Sequence, residues 1–441
     1  MKTYEKYKDS GIKWIGDIPE HWESKRIRHL ADIFGRIGYR GYKVTDLVQK
    51  GEGAITISPS NMKDFHMDFS NCTYLSWDKY NESPEIMIQD GDILFVKTGS
   101  TYGKSSFVKD LPEKSTINPQ IIVLKNIECD NKLLWYIIKS ENIQYQVEQT
   151  VVGGTIPTIS QARINNYSFP LPPTKEEQTE LANYLDKKTT EIDQLIADKE
   201  QLVTLYREEK TAIIDQAVTK GINQNVKLKD SGIEWLGDIP EHWDAVSLKW
   251  VSNIYSGGTP SKNKPEYWTN GTIPWLNSGT VNQWDITEPS EYITEEALNN
   301  SSAKWIPEKA ILMALAGQGK TKGMVAQVQF KCTCNQSMGI IIPNNKIDNR
   351  FLLYWLKRNY QNIRNLGGGD KRDGINLEMI GGIPLPFFKV SEQTEIVQHI
   401  ERESAKINAK IDKAEKYIKL LTEYRTALIS EVVTGKIKVI D

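Results

Sequence analysis

The sequence predicts an α+β chain: two α/β segments separated by two long helices that pair as an antiparallel coiled coil, the whole pseudo-two-fold symmetric. Three observations predict it. KDSGIKWIGDIPEHW at residues 8–22 returns as KDSGIEWLGDIPEHW at residues 229–243, with 13 of 15 positions identical. PLPPTKEEQTEL, from Pro170, is answered by PLPFFKVSEQTEI, from Pro384. Each of these second elements opens a long stretch whose apolar residues recur about every 3.5 positions, the spacing of a coiled-coil seam. A framework duplicated in tandem folds as two like halves and suits a target with two halves.

The elements follow in order. Residues 1–22 are an N-terminal framework segment, and residues 23–169 a first insert. Within the insert AITIS, DILFV and QIIVL, broken by Gly, Pro and Asn, predict short strands. KLLWYIIKSENIQYQV, from Lys132, predicts one helix, and Val152-Gly153-Gly154 a turn after it. Residues 170–243 hold the first long helix and the second copy of the framework motif. Its seam, stepping alternately four and three residues, includes Leu181, Leu185, Ile192, Leu195, Leu202 and Ile213. Residues 244–383 are a second insert, with strands at AILMAL and GIIIP, one helix at FLLYWLKRNYQNIRNL and a turn at Gly367-Gly368-Gly369. Residues 384–441 close with the second long helix, whose seam includes Ile396, Ile400, Ile407, Leu421 and Leu428. Thr174 and Ser391 stand where capping side chains belong. Each helix of about 42 residues would be roughly 63 Å long. Such a length with one apolar stripe needs a partner, and the duplicate is the obvious one.

Composition bounds the function. With 441 residues, 39% hydrophobic, 25% charged and a mean hydropathy of −0.48, the chain reads as a globular protein of two to four domains. No apolar run approaches the roughly 18 residues of a bilayer span, and MKTYEKYKDS is no signal peptide; a cytoplasmic protein is expected. The net charge of −2 argues against a blanket polyanion binder. Residues 175–216 and 391–432 together carry −6, which leaves +4 elsewhere and permits nucleic-acid contact. Cys72, Cys129, Cys332 and Cys334 form no CxxC pair, so no metal is expected and reduced, buried thiols are.

No catalytic motif is complete. A phosphate-cradling loop needs G-x-x-x-x-G-K-[ST], its first glycine letting backbone amides wrap the phosphates. Gly319-Lys320-Thr321 has Ala314 at that first position, and Gly103-Lys104-Ser105 has Thr98. Asn118-Pro119-Gln120-Ile121 lacks the second proline and the aromatic of an amino-methyltransferase. HExxH and GxSxG are absent. The repeated His21, His242, Trp14, Trp22, Trp235 and Trp243 are expected to pack the frame.

What is left suits DNA readout, in which Arg and Lys fork to guanine, Asn and Gln to adenine, and Ser, Thr and Lys bind phosphate. The first insert offers Arg36, Tyr39, Arg40 and Lys43, then Ser58, Ser60 and Asn61, then Ser100, Lys104 and Ser105, then Asn118 and Gln120. The second offers Lys262 and Asn263, Asn277 and Ser278, Gln318, Lys320 and Lys322, Asn335 and Gln336, then Lys371 and Arg372. Their placement matches between the two halves.

The twice-occurring GDIPEHW, the P-L-P lead into each long helix and SGGTPSKNKPEYWTNGTIPWLNSG at the start of the second insert resemble the specificity subunit of type I restriction-modification enzymes. The resemblance covers essentially the whole chain, although the first insert lacks the GGTPSK and IPWLNSG strings. It implies two target-recognition domains, each reading half of a split, asymmetric site in double-stranded DNA. It implies paired helices that dock two methyltransferase subunits, with restriction and translocase subunits joining. S-adenosylmethionine, ATP and magnesium are then expected on those partners and none on this chain. An orphan subunit serving methylation alone, or an accessory scaffold, would have the same frame.

Overall fold

The computed structural model describes residues 2–317, 319–367 and 374–439. Two compact units emerge, Met1–Glu200 with Glu415–Asp441, and Gln201–Ala414. Each consists of one insert, one copy of the framework motif and a part of both long helices. Among the described residues, no helix is long and apolar enough to cross a membrane.

The long helices run Lys175–Lys220 and Val390–Val433. They pack antiparallel. In the first unit Arg425 ion-pairs with Asp193, and Leu181, Leu185 and Ile192 share a core with Leu428 and Val432. In the second, Lys210 donates to Asn408 (3.0 Å), the Lys410 ammonium lies 5.1 Å from the Tyr206 ring, and Val203 packs with Ile407, Ile411 and Ala414. The seam differs from the sequence expectation at one position per heptad. Leu195 is 47% exposed, and Tyr417 and Tyr424, which continue the same four-and-three stepping in the second helix, also face solvent, whereas Ile196 and Val203 pack inward. Leu202, Ile213 and Leu421 are half-buried, while Ile396, Ile400, Ile407 and Leu428 are buried. A heptad contains one step of three and one of four, and their order decides which of two adjacent apolar residues turns inward. Leu195-Ile196 and Leu202-Val203 are such pairs, so spacing alone did not separate them. Thr174 does accept from Glu177 N (3.3 Å), but Ser391 lies inside the first turn of its helix.

The repeated motifs meet at the start of each long helix. Glu177 accepts the Trp22 indole N–H (2.9 Å) and contacts His21 (3.1 Å). Glu392 does the same with Trp243 (3.0 Å) and His242 (3.0 Å). The following glutamine ties in the insert. Gln178 accepts from Asp130 N (2.9 Å) and donates to Pro172 O (2.8 Å), and Gln393 accepts from Asp348 N (2.7 Å) and donates to Phe388 O (2.9 Å). Asp130 and Asp348 in turn cap Asn131–Lys139 and Asn349–Arg358. Trp22 and Trp243 are fully buried, as expected of frame residues, and Trp235 is half-buried. Trp14 is not: it is 45% exposed and rests against Tyr145, ring centroids 5.4 Å apart. The second motif copy follows the first long helix directly in the chain. The first copy instead closes on the end of the second long helix, where Lys2 pairs with Lys438 and Tyr7 donates to Gly435 O (3.1 Å).

The two inserts have one fold. In the first, a sheet ordered Asp32–Gly35, Ile121–Lys125, Ile93–Val96, Ser105–Phe107 faces a second ordered Ser115–Ile117, Gly53–Ile57, Thr73–Ser76, Leu47–Val48. In the second, Ser252–Ser256, Met338–Pro343, Ile311–Ala314 and Val325–Val328 repeat the first sheet, with Asp285–Ile286 added at its edge. Thr333–Cys334, Ile273–Leu276 and Glu291–Ile293 repeat the other. A short strand pair seals each insert to the frame: Glu23–Arg26 on Ser168–Leu171, and Asp244–Ser247 on Pro384–Phe387. The single helix expected late in each insert is two. Asn131–Lys139 and Glu141–Thr150 break at Ser140, and Asn349–Arg358 and Tyr360–Asn365 at Asn359. Ser140 Oγ bonds Ile137 O (2.6 Å) and Asn359 Nδ2 bonds Trp355 O (3.0 Å), local bonds with which a polar side chain competes against helix continuation. The four cysteines are free, with all but Cys72 buried.

Candidate nucleic-acid interface

In the second sheet of each insert a pair of strands runs parallel, which delivers two chain exits to the same end. Ser115–Ile117 lies parallel to Gly53–Ile57, so the exits at Ser58 and Asn118 adjoin, and Asn118 N bonds Ile57 O (2.9 Å). Lys97 N bonds Gln120 O (2.8 Å), bringing in the loop of residues 97–104 that contains Gly103-Lys104. Ile159 N bonds Lys97 O (2.8 Å), adding the segment that follows the glycine-rich turn. The second insert makes the same three bonds from different residues. Asn335 N bonds Leu276 O (3.0 Å), Leu315 N bonds Ser337 O (2.8 Å), and Ile375 N bonds Leu315 O (2.8 Å). The candidate loops therefore converge on one edge of each insert.

Within these edges the candidates divide by access. In the first insert Lys43, Ser100 and Gln120 are exposed, and Lys104 is half-buried. Arg40 is half-buried and paired with Glu85 at 3.4 Å. Arg36 is buried, bonding Ile117 O (3.2 Å) and Thr116 Oγ1 (3.1 Å), and desolvation pulls its pKa below the usual arginine value. Asn61 is buried and donates to Asp68 O (3.1 Å) and Asn71 O (3.0 Å) while its oxygen takes Ser58 N (3.0 Å). Asn118 accepts from Gln120 N (3.0 Å). Ser105 is buried in a strand, its hydroxyl without a hydrogen-bond partner among the described residues. Arg36, Asn61 and Asn118 thus shape the edge from beneath, because a base contact would cost each its present bonds.

In the second insert Asn263, Lys320 and Gln336 are exposed, and Asn335 and Ser278 half-buried. Asn277 is exposed and caps a turn through Gly279 N (2.9 Å). Lys262 lies 3.3 Å from the Trp268 ring centroid and pairs with Glu291 at 2.6 Å. Lys322 is buried. Gln318, Lys371 and Arg372 lie outside the described residues. The Gly257-Gly258 pair has a steric reason: a Cβ on Gly257 would fall 2.4 Å from Cys334 O, and one on Gly258 2.3 Å from the Ser302 carbonyl carbon.

Sequence reading missed the supports under the lysine-bearing loops. Arg364 donates to Gly319 O (2.6 Å) and Lys322 O (3.2 Å), and Tyr360 to Lys320 O (2.6 Å). In the first insert Gln144 donates to Gly103 O (3.1 Å) and Tyr102 to Glu148 (3.0 Å). These side chains come from the short second helix of each insert, which the sequence merges with the first. Among the described residues, no cluster of His, Cys, Asp or Glu could hold a metal ion.

Comparison with known proteins agrees with this architecture. The profile of the type I restriction modification DNA specificity domain matches residues 19–205 and 240–416. A putative type I restriction enzyme MjaX specificity subunit of Methanocaldococcus jannaschii is 25% identical over 98% of this chain and 98% of its own length. The EcoR124I/EcoR124II specificity subunit of Escherichia coli is 28% identical over 54% of this chain and 57% of its own. Among solved structures, a chain from work on complex assembly and conformational transition of the type I R-M system superposes with a TM-score of 0.72 at 14% identity, covering 95% of this chain and 99% of that one. The HsdS subunit of Thermoanaerobacter tengcongensis gives 0.57 at 14% identity, covering 95% and 98%. With two matched domains, two like inserts and a duplicated helical frame, the chain belongs to the specificity subunits of type I restriction-modification systems.

Proposed function

We propose that each insert reads one half of a split, asymmetric sequence in double-stranded DNA, through the edge where its loops converge. The observation that carries this reading is the set of three backbone hydrogen bonds repeated in both inserts. Backbone bonds hold the loop geometry whatever side chains the loops carry, so each insert is free to present its own. Lys43, Ser100, Lys104 and Gln120 in one insert, and Asn263, Asn277, Lys320 and Gln336 in the other, have the access that base or phosphate contact requires. The paired helices dock two methyltransferase subunits, and restriction and translocase subunits complete the assembly. S-adenosylmethionine, ATP and magnesium belong to those partners, and this chain performs no chemistry of its own.

The test is methylome sequencing of cells carrying this chain with its methyltransferase partner, repeated after residues 244–383 are exchanged for those of a relative. One half of the methylated motif should change and the other persist. A change in both halves would mean a single composite reading surface. ATP turnover by the isolated chain, abolished by Lys320→Ala, would overturn the non-catalytic assignment.

A further inference from the structure

Phe65 and Trp284 occupy the same place in the two inserts, eight residues beyond the ends of the parallel strands at Ile57 and Leu276. The loops around them, MKDFHMD and VNQWDIT, share no residue at matched positions. Each aromatic is nevertheless gripped in the same way. The Lys139 ammonium lies 4.3 Å from the Phe65 ring centroid and donates to the carbonyl of the preceding residue, Asp64 (2.5 Å). The Lys357 ammonium lies 4.0 Å from the Trp284 centroid and donates to the carbonyl of its preceding residue, Gln283 (3.4 Å). Lys139 and Lys357 are both the ninth residue of their helices, counted from Asn131 and Asn349.

The grip continues into the long helices. In the first unit the Arg425 guanidinium covers Phe65 at 4.4 Å while pairing with Asp193, so one ring touches a residue of the second long helix that is itself bonded to the first. In the second unit Asp285, next to Trp284, takes Arg350 (2.7 Å), which reaches Glu401 of the second long helix (3.4 Å). A cation held over an aromatic face while it donates to the adjoining backbone carbonyl is a directional contact, which restrains orientation as well as distance. Recurrence of this grip on unrelated loop sequences marks it as a demand of the architecture.

From this recurrence we infer that Phe65 with Lys139, and Trp284 with Lys357, are positioning residues that fix the angle at which each insert presents its reading edge to DNA. They thereby set how stringently its half-site is read. The inference rests on the proposed reading of half-sites by the inserts. The strand exits at Ser58 and Asn277 belong to the same loops as the gripped rings, so a ring free to move lets the edge move with it.

The test uses the whole chain in complex with its methyltransferase partner. Methylated motifs are sequenced, and affinities are measured for duplexes bearing single mismatches in one half-site or the other. Phe65→Ala should lower discrimination in one half-site by about tenfold and leave the other unchanged, with Trp284→Ala doing the reverse. Lys139→Met should act like Phe65→Ala, and Lys139→Arg, which keeps the cation, should restore discrimination. Should Phe65→Ala fail to fold, Lys139→Met decides, since it keeps the aliphatic stem. Methylation that falls uniformly with an unchanged motif would reduce the grip to a packing contact and overturn the inference. A wild-type complex with no two-part motif would instead overturn the half-site reading itself.

Discussion

The two framework copies repeat the same side-chain bonds, whereas the loop edges of the two inserts repeat the same backbone bonds above different side chains. In the frame, side chain meets side chain: Glu177 holds Trp22 and His21, and Glu392 holds Trp243 and His242. Such contacts demand particular residues, and the two copies of the motif are almost identical. In the inserts, the bonds that gather the candidate loops run between backbone groups, as from Asn118 N to Ile57 O and from Asn335 N to Leu276 O. Every residue except proline supplies these groups, so the side chains can diverge while the edge keeps its shape. Under the proposed function the assembly stays constant while the target varies, and the interactions divide along that line.

The largest test of the comparison lies in the frame. Trp22→Ala and Trp243→Ala each remove a fully buried indole together with one partner of a frame carboxylate, and each should cost about 3–5 kcal/mol. Urea unfolding should show closely similar losses, and a strong inequality would mean the copies are alike in sequence only. Next come the helices. Val203→Asp places an unpaired carboxylate in the packed seam and should cost about 3 kcal/mol, whereas Leu195→Asp, at an exposed site, should change stability by under about 0.5 kcal/mol. Leu195→Asp is then the informative probe of partner docking, read as methyltransferase pull-down with the melting curve unchanged.

Between the inserts the expected contrast is sharper in glycine than in polar residues. Gly257→Ala drives a methyl group into the Cys334 and Asn335 carbonyls and should cost about 1–3 kcal/mol. Gly38→Ala meets nothing within 4 Å and should be neutral or slightly stabilising. Equal effects in thermal unfolding would contradict the close approach at Gly257.

The smallest effect concerns pH. Burial pushes both Lys139 and Lys357 down to about 8 from 10.5. Asp64 and Asp193 oppose that shift for Lys139, and Arg425 and Lys104 reinforce it; for Lys357, Asp285 opposes and Arg350 reinforces. Between pH 8 and about 10.5 the unfolded chain binds more protons at these two sites, so their contribution to stability rises with pH. Buried Cys129 and Cys332, pushed up to about 12, act in the opposite direction as unfolded thiols ionise. The lysine contribution is therefore read as a difference. Between pH 7.5 and 9.5 the wild type should gain stability relative to Lys139→Met in urea titrations, and parallel curves would refute the shift.

Much of this molecule is legible in its sequence, and the legible parts share a cause. The duplicated motifs, the two long helices and the main strands are written in local repetition and periodicity, which survive without knowledge of any contact. The matched placement of Lys104 with Lys320, and of Asn118 with Asn335, could likewise be read by aligning the two halves. What periodicity leaves degenerate is the inward choice between Leu195 and Ile196, which differ by one step around a helix. The breaks at Ser140 and Asn359 escaped because a polar residue inside an apolar pattern looks like a surface position until its own backbone bond is seen.

The sequence by itself determined that there are two like halves, what builds each, and which loops carry the polar residues. Only the tertiary structure decided which of those residues are free to act. Arg36, Asn61 and Asn118 have the chemistry of base readers, yet their donors and acceptors are already engaged in holding the edge together. Trp14 has the composition of a core residue and lies exposed beside Tyr145. Residue type sets what a side chain can bond, but occupancy of those bonds depends on neighbours far away in the chain, such as Ile117 for Arg36 and Lys139 for Phe65. No local pattern encodes such pairs, because they exist only once the sheets and helices have closed on one another.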